Sequence, residues 1–159
     1  MNVKALEGRL KSIQDTQERL DILDALADHY YDEDDFQKAL RFYQEARELA
    51  PAGNPKAYYT AQSGICHYLL HNDREARDAL FAARSMSDPM APEFLPEIHG
   101  LLHYFLGSLL EYEGKNQASL EARLEARKYI DELHCEAQWM LLAGLSRNYE
   151  ELGDNRKAI

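Results

Sequence analysis

Residues 20–51, LDILDALADHYYDEDDFQKALRFYQEARELAP, determine the fold of this chain. Apolar and small residues recur there at the spacing of one helix face, first between positions 23 and 30 and again between 39 and 49. The acidic run 32–35 separates the two segments, and Pro51 ends the second one. The stretch therefore predicts two helices joined by a tight turn, and neither helix can bury its apolar face alone.

This unit resembles one tetratricopeptide repeat (TPR). Its first helix has the large, small and tyrosine positions of that family, and its second helix has the alanine, aromatic, alanine and proline positions. The residues that carry the resemblance are Leu23, Leu26, Ala27, Tyr30, Ala39, Tyr43, Ala46 and Pro51. The resemblance implies an all-α, superhelical solenoid of antiparallel helix pairs with a protein-binding role. It does not specify the partner.

The same pattern continues along the chain. Ala76 and Ala83 follow Ala39 and Ala46 at one common interval, whereas in the third repeat Arg123 stands where an aromatic residue is typical. Three prolines between positions 89 and 96 predict a lengthened connection, because they forbid a continuous helix. We divide the single predicted domain, 1–159, into an N-terminal helix (1–15), repeat 1 (20–53), repeat 2 (55–88), a Pro-rich connection (89–97), repeat 3 (98–131) and an incomplete repeat 4 (137–159). This amounts to about 3.5 repeats after the N-terminal helix.

Two expectations concern the ends of the array. Val3, Leu6, Leu10 and Ile13 form a helical stripe that we expect to cover the first repeat, with a new helix starting after Asp15. The fourth repeat reaches only Ala158-Ile159 in its second helix, which predicts that these residues belong to a longer protein. The loose repeat spacing resembles arrays in bacterial signalling and regulatory proteins. An uncovered fourth repeat would also offer a surface for forming a homo-oligomer.

The charge of the chain narrows the classes of partner. With 28 acidic and 18 basic residues, the formal net charge is −10, which disfavours nucleic acid and anionic membrane surfaces. Two cysteines do not make a disulfide framework, and both are predicted to be small buried residues of a protein from a reducing compartment. The sequence shows neither a transmembrane run nor a signal peptide, so we predict a cytoplasmic location.

The TPR resemblance implies that the first helices line a concave groove that binds a partner. Transferred onto this chain, the groove is acidic at one end and rich in tyrosine, which suits a peptide with basic and apolar side chains. The predicted groove residues are Asp21, Asp24, Asp28, Tyr31, Tyr58, Tyr68, Tyr104, Tyr112 and Arg147. The alternative is that the aspartates form a solvated face and the tyrosines only pack between repeats. Two further alternatives are a regulatory or ligand-sensing module of a larger signalling protein and a self-association scaffold.

Signals for catalysis are weak. The pairs His67/His71 and His99/His103 have helical spacing, but neither is part of an H-E-x-x-H motif, and packing roles are available to His67 and His103. The chain has no Gly-rich phosphate loop, and Trp139 is predicted to be a core residue. We therefore predict a protein that is not an enzyme, with no catalytic residues, no metal and no cofactor.

Overall fold

The structure is a computed structural model that describes residues 2–153. Within that range the chain forms eight α-helices and a 3-10 helix (Ile130–Glu132) and contains no strand. The α-helices are α1 (Val3–Leu10), α2 (Thr16–Asp32), α3 (Phe36–Leu49), α4 (Asn54–Leu69), α5 (Asp73–Met86), α6 (Pro96–Tyr112), α7 (Asn116–Arg127) and α8 (Cys135–Glu151). The all-α prediction is confirmed. The predicted helix start at Ala158-Ile159 lies outside the described residues.

The turns inside the helix pairs repeat one geometry. Asp34, His71 and Gly114 have φ values of 58°, 59° and 74°, which is the left-handed region. The next amide in each turn donates to the carbonyl five residues earlier, as in Asp35 N to Tyr30 O at 2.9 Å and Lys115 N to Leu110 O at 2.8 Å. This bond satisfies a carbonyl that the end of the helix leaves free. The equivalent turns show that the helix pairs are structural repeats.

Small residues allow the helices of each pair to approach closely. Ala39, Ala46, Ala76, Ala83 and Ala126 are all fully buried, as the repeat pattern predicts. Helix α1 lies against α2, and its apolar stripe packs on the core of the first pair, as predicted. The start of α2 also follows the prediction, because the Asp15 carboxylate accepts a hydrogen bond from Glu18 N at 2.7 Å. The buried apolar residues form three clusters along the array, and Tyr31, Leu101 and Phe105 each pack against two of them.

The connection between α5 and α6, residues 87–95, is fixed at both ends. Near its start, Asn54 at the beginning of α4 is buried and donates to the carbonyls of Asp88 and Pro92, at 3.0 and 2.9 Å. Asn54 also accepts a hydrogen bond from Asp88 N at 2.9 Å. At the other end, the ring of Phe94 packs on His99 and Tyr129. The connection is therefore an ordered element. Because it is long, the helices on either side of it, α5 and α6, pack less extensively on each other than α3 and α4 do.

Arg123, in the position where an aromatic residue was expected, is 1% exposed. It donates to Gly144 O at 3.0 Å, to Asn148 Oδ1 at 2.7 Å and to Glu111 Oε2 at 2.7 Å. Space for its side chain exists because Gly107 and Gly144 carry no Cβ. A Cβ would stand 2.6 and 2.5 Å from Arg123 at these two positions. A buried arginine, bonded through both terminal nitrogens of its guanidinium, thus joins α6, α7 and α8 in place of a ring.

Two predictions from the sequence are wrong. Trp139 is 75% exposed and is not a core residue, because among the described residues no helix covers the outer face of α8. Cys135 is exposed as the first residue of α8, whereas Cys66 is buried as predicted.

None of the helices in residues 2–153 is long and apolar enough to span a membrane.

Candidate functional site

One concave surface of the molecule forms an open cleft of about 970 Å³. Helices α2, α4, α6 and α8 line it, together with Phe36 and Tyr43 of α3 and residues from the adjoining connections. Its polar and aromatic lining residues are Asp28, Tyr31, Asp32, Asp34, Phe36, Tyr43, Tyr58, Gln62, Tyr68, Glu97, Tyr104, Phe105, Glu132, His134 and Glu136. We call this surface the cleft. It is large enough for several side chains of an extended or helical segment.

The electrostatic character of the cleft is strongly acidic. Six carboxylates line it, while none of the described lining residues is a lysine or an arginine. Three of the carboxylates, Asp28, Asp32 and Asp34, lie at the end of α2 and in the turn after it, and the others lie across the cleft on α6, the 3-10 helix and α8. Like charges gathered in a concave surface reinforce one another's potential. The cleft therefore attracts cations and repels anions.

Aromatic rings form the floor of the cleft and brace one another. Phe105 meets Tyr68 and Tyr104 edge to face, with ring centroids 5.0 Å apart in both pairs. Tyr31 meets Phe36 in the same manner at 5.5 Å. These contacts restrict the rings before any ligand arrives, which reduces the entropy lost on binding.

The hydroxyls of Tyr31, Tyr43 and Tyr58 remain protonated at neutral pH, because the pKa of each is raised. Burial raises the pKa of Tyr31 to about 12. Burial, followed by the charges of Asp24 and Asp28, also raises the pKa of Tyr58. Tyr43 is buried, and its hydroxyl donates to Asp28 Oδ1 at 2.6 Å, which fixes that carboxylate at the cleft surface. The tyrosines are thus neutral hydrogen-bonding groups beside fixed carboxylates.

Asp24 is set behind the cleft surface, beside Tyr58 and Tyr59. Burial raises its pKa to about 6, and the charge of Asp28 adds to this rise, whereas the two tyrosine hydroxyls oppose it. Its Oδ1 atom is buried without a hydrogen-bond partner. Asp24 therefore carries less negative charge near neutral pH than an exposed aspartate does.

The structure brings five of the nine predicted groove residues together in the cleft: Asp28, Tyr31, Tyr58, Tyr68 and Tyr104. The other four lie outside its lining. Asp21 is exposed and accepts a hydrogen bond from Gln17 at 2.8 Å, and Asp24 is half-buried. Tyr112 is 83% exposed at the end of α6, and Arg147 forms an ion pair with Glu111 at 3.1 Å. The three aspartates share one helix face but differ in depth.

Sequence reasoning missed cleft residues at the edges of helices. Glu132, His134 and Glu136 lie where the chain passes from the 3-10 helix into α8, a segment that carries no repeat marker. Phe105 was missed although it follows Tyr104 directly. The cleft face of α6 is wide enough for both residues, and a wider helical arc would have included Phe105.

Metal ligands are not grouped in the part of the chain that the structure describes. No three His, Cys, Asp or Glu side chains in residues 2–153 are arranged to hold a metal ion. His103 is 6% exposed, in agreement with the packing role predicted for it, and His67 is half-buried.

Comparison with known proteins rests on structure, because no protein-family model and no curated protein matches the sequence. The crystal structure of MamA superposes with a TM-score of 0.70 at 17% identity, over 98% of this chain and 80% of MamA. BtubC from P. vanneervenii gives a TM-score of 0.72 at 18% identity, over 98% of this chain and 65% of BtubC. A Podosopora anserina protein with nearly identical TPR-like repeats gives 0.66 at 16% identity, over 98% of this chain and 80% of that one. The fold is a TPR-like solenoid.

The TPR-like arrangement explains why one surface collects the cleft residues. Helices α2, α4, α6 and α8 are the first helices of successive units, and stacking turns the same face of each toward one side. The second helices α3, α5 and α7 carry buried alanines such as Ala39, Ala76 and Ala126, and α3 also contributes Phe36 and Tyr43 to the cleft. A TPR-like solenoid thus converts a sequence period into a continuous concave surface.

Proposed function

We propose that this protein is a non-enzymatic binding module that holds a peptide segment of a partner protein in the cleft. The observation that carries the proposal is the charge of the cleft: six carboxylates and no lysine or arginine among its described lining residues. A segment with arginine or lysine side chains would gain favourable electrostatic interactions with these carboxylates. Nucleic acid and anionic lipid would be repelled by the same carboxylates.

The aromatic floor adds a second requirement for the partner. Tyr68, Tyr104 and Phe105 present ring surface beside the carboxylates, so an apolar or aromatic side chain of the partner would be buried there. An arginine between a carboxylate and a ring would gain a cation–π contact as well. We therefore propose that the recognised segment combines at least one arginine or lysine with an aromatic or large aliphatic anchor.

A selection from random displayed peptides tests this proposal without a known partner. We expect the peptides enriched on the folded protein to carry a net positive charge and an aromatic or large aliphatic residue. The control is a charge-reversed protein, Asp32→Lys with Glu132→Lys, which should enrich a different population. Enriched peptides that are neutral or acidic, or that bind both proteins equally, would contradict the proposal.

A second candidate function, self-association, is favoured by the outer face of α8. Trp139 is 75% exposed and Leu142 is 45% exposed on that face, and exposed apolar patches commonly mark contact surfaces. Light scattering should then show a concentration-dependent dimer that the variant Trp139→Ser loses. A monomer at every concentration would exclude this candidate and leave the cleft proposal intact.

A further inference from the structure

Two buried histidines lie on the side of α6 that faces away from the cleft. His99 and His103 are each 6% exposed, and their ring centroids are 4.6 Å apart. His99 Nε2 and His103 Nδ1 are buried without a hydrogen-bond partner. The nearest acidic group is Glu125, whose Oε1 lies 3.5 Å from His99 Nε2, too far for a normal hydrogen bond. Both rings are thus packed as neutral groups.

One of these histidines, His99, holds the connection between α5 and α6, and His103 packs against the His99 ring. Ser87 Oγ, at the start of the connection, lies 2.9 Å from His99 Nδ1. At its other end Phe94 packs on the His99 ring with centroids 5.2 Å apart, and Tyr129 packs on His99 from the side of α7 at 5.0 Å. Leu95, which follows Phe94, lines the cleft. The histidine pair and the cleft therefore share one segment of chain.

We propose that the His99–His103 pair is a proton-operated latch, in which the neutral pair holds residues 87–95 on α6 and protonation releases them. Release of the connection does not depend on the function proposed above. Release would also move Leu95 and so alter the cleft, and the importance of that change does rest on the proposed function.

The surroundings of the pair make its protonation unfavourable while the latch is closed. The charged groups that face it are Arg84 on α5, Glu121 and Glu125 on α7, and Lys128 directly after α7. Lys128 forms an ion pair with Glu125 at 2.5 Å, so this carboxylate is already partly neutralised. Burial, then the neighbouring His99, lowers the pKa of His103 to about 4, and burial also lowers that of His99. Two positive charges in this space would repel each other strongly.

The direction of the pH effect follows from these shifts. A histidine in the released state has an ordinary pKa near 6.5, whereas His103 in the closed latch has one of about 4. Acid therefore favours the released state, and the effect develops as the pH falls from about 6.5 toward 4. Within this window the ratio of released to closed molecules rises about tenfold per pH unit for each histidine that behaves in this way.

A spin label on the connection measures release directly. Met90 is 92% exposed, so Met90→Cys with a nitroxide reports the mobility of the connection with little disturbance. Cys135→Ser removes the exposed thiol, while Cys66 is buried and its thiol pKa is raised to about 12, which protects it from labelling. We expect the ratio of mobile to immobile label to rise at least tenfold between pH 7.5 and pH 5.0, with unchanged helical circular dichroism.

Matched variants identify the groups responsible. His99→Asn combined with His103→Phe should abolish the pH response, whereas His71→Asn, which removes an exposed histidine, should leave it unchanged. NMR titration of the histidine ring protons in the unsubstituted protein should show midpoints for His99 and His103 below pH 6.5 that coincide with release. A constant label mobility, an equal response in the double variant, or release only with loss of helical signal would overturn the latch. Release that leaves the binding of a basic–aromatic peptide unchanged would keep the latch and contradict only its consequence for the cleft at Leu95.

Discussion

The carboxyl group of Asp24 shows how burial changes the chemistry of a single side chain. Exposed aspartates are fully charged at neutral pH, but Asp24 has a pKa raised to about 6 by burial and by Asp28. The folded state thus binds a proton at Asp24 more tightly than the unfolded state does. Ionised Asp24 destabilises the fold above about pH 6, and this penalty disappears as the pH falls toward 3.8.

The substitution Asp24→Asn tests this directly. The neutral amide should raise the free energy of unfolding at pH 8 by about 1 to 2 kcal/mol, a value reduced for the solvent that still reaches the group. The gain should shrink at pH 4.5, because Asp24 is then largely protonated in the folded wild type. Urea denaturation at both pH values measures the free energy of unfolding. The control is Asp21→Asn, which neutralises an exposed aspartate on the same helix face. A loss of stability at pH 8 would show that Asp24 is stabilising when charged.

Glu111 pairs with two arginines of different burial, and the comparison separates buried from exposed ion pairs. Burial alone would raise the pKa of Glu111, but hydrogen bonds and charges from Arg123 and Arg147 outweigh it and lower the pKa to about 2. Arg123 is 1% exposed, whereas the Arg147 side chain is 55% exposed. The two pairs should therefore differ in their contribution to stability.

We expect Arg123→Met to lower the free energy of unfolding by about 3 to 5 kcal/mol, because Glu111, Asn148 and the Gly144 carbonyl lose a buried donor. Arg147→Met should lower it by less than about 1 kcal/mol. Chemical denaturation of the two variants under one condition provides the measurement. Equal losses would mean that the buried network is not what joins α7 to α8.

At the scale of helices, the sequence period predicts the elements well and fails where a pattern is broken. The alanines, the turns and the capped start of α2 follow from local spacing. Burial of Arg123 could not be predicted, because its partners Glu111, Gly144 and Asn148 lie on two other helices. The exposure of Trp139 could not be predicted either. Its residue type favours the core, but no described helix covers its face of α8.

The close approach of α7 and α8 at Gly144 leads to a further prediction. A Cβ at position 144 would stand 2.5 Å from Arg123 Cζ, so Gly144→Ala forces a buried guanidinium to move. We expect the free energy of unfolding to fall by about 1 to 3 kcal/mol, although alanine is the better helix former. Gly8→Ala in α1, where nothing lies within 4 Å of the added carbon, should be neutral or stabilising. Thermal denaturation of the two variants distinguishes these outcomes. A Gly144→Ala variant that is more stable than the wild type would contradict the close approach of Arg123 to position 144.

For the molecule as a whole, stacking determines the cleft more than any single residue does. The acidic, tyrosine-rich character was predictable because the first helices carry it in sequence. Which side chains reach the cleft was only half predictable, since depth depends on how neighbouring helices stack. Asp24 and Asp28 are one turn apart, yet only Asp28 lies at the surface of the cleft.

The charge of the cleft is therefore the feature on which a partner should depend. Asp32 and Glu132 line the cleft, while their sequence neighbours Glu33 and Asp131 are exposed outside its lining. Reversal of either pair to lysine changes the net charge equally. Only reversal of the first pair should remove the attraction of the cleft for a basic segment.

The decisive measurement is the affinity of one selected basic–aromatic peptide for three proteins, determined by fluorescence anisotropy. These are the wild type, Asp32→Lys with Glu132→Lys, and Glu33→Lys with Asp131→Lys. We expect the first double variant to bind about 100-fold more weakly, the second to stay within about threefold of the wild type, and wild-type binding to weaken with salt. Equal weakening in both double variants would mean that only net charge attracts the peptide. Unchanged affinity in both would mean that it binds outside the cleft, and either result would contradict the proposed function.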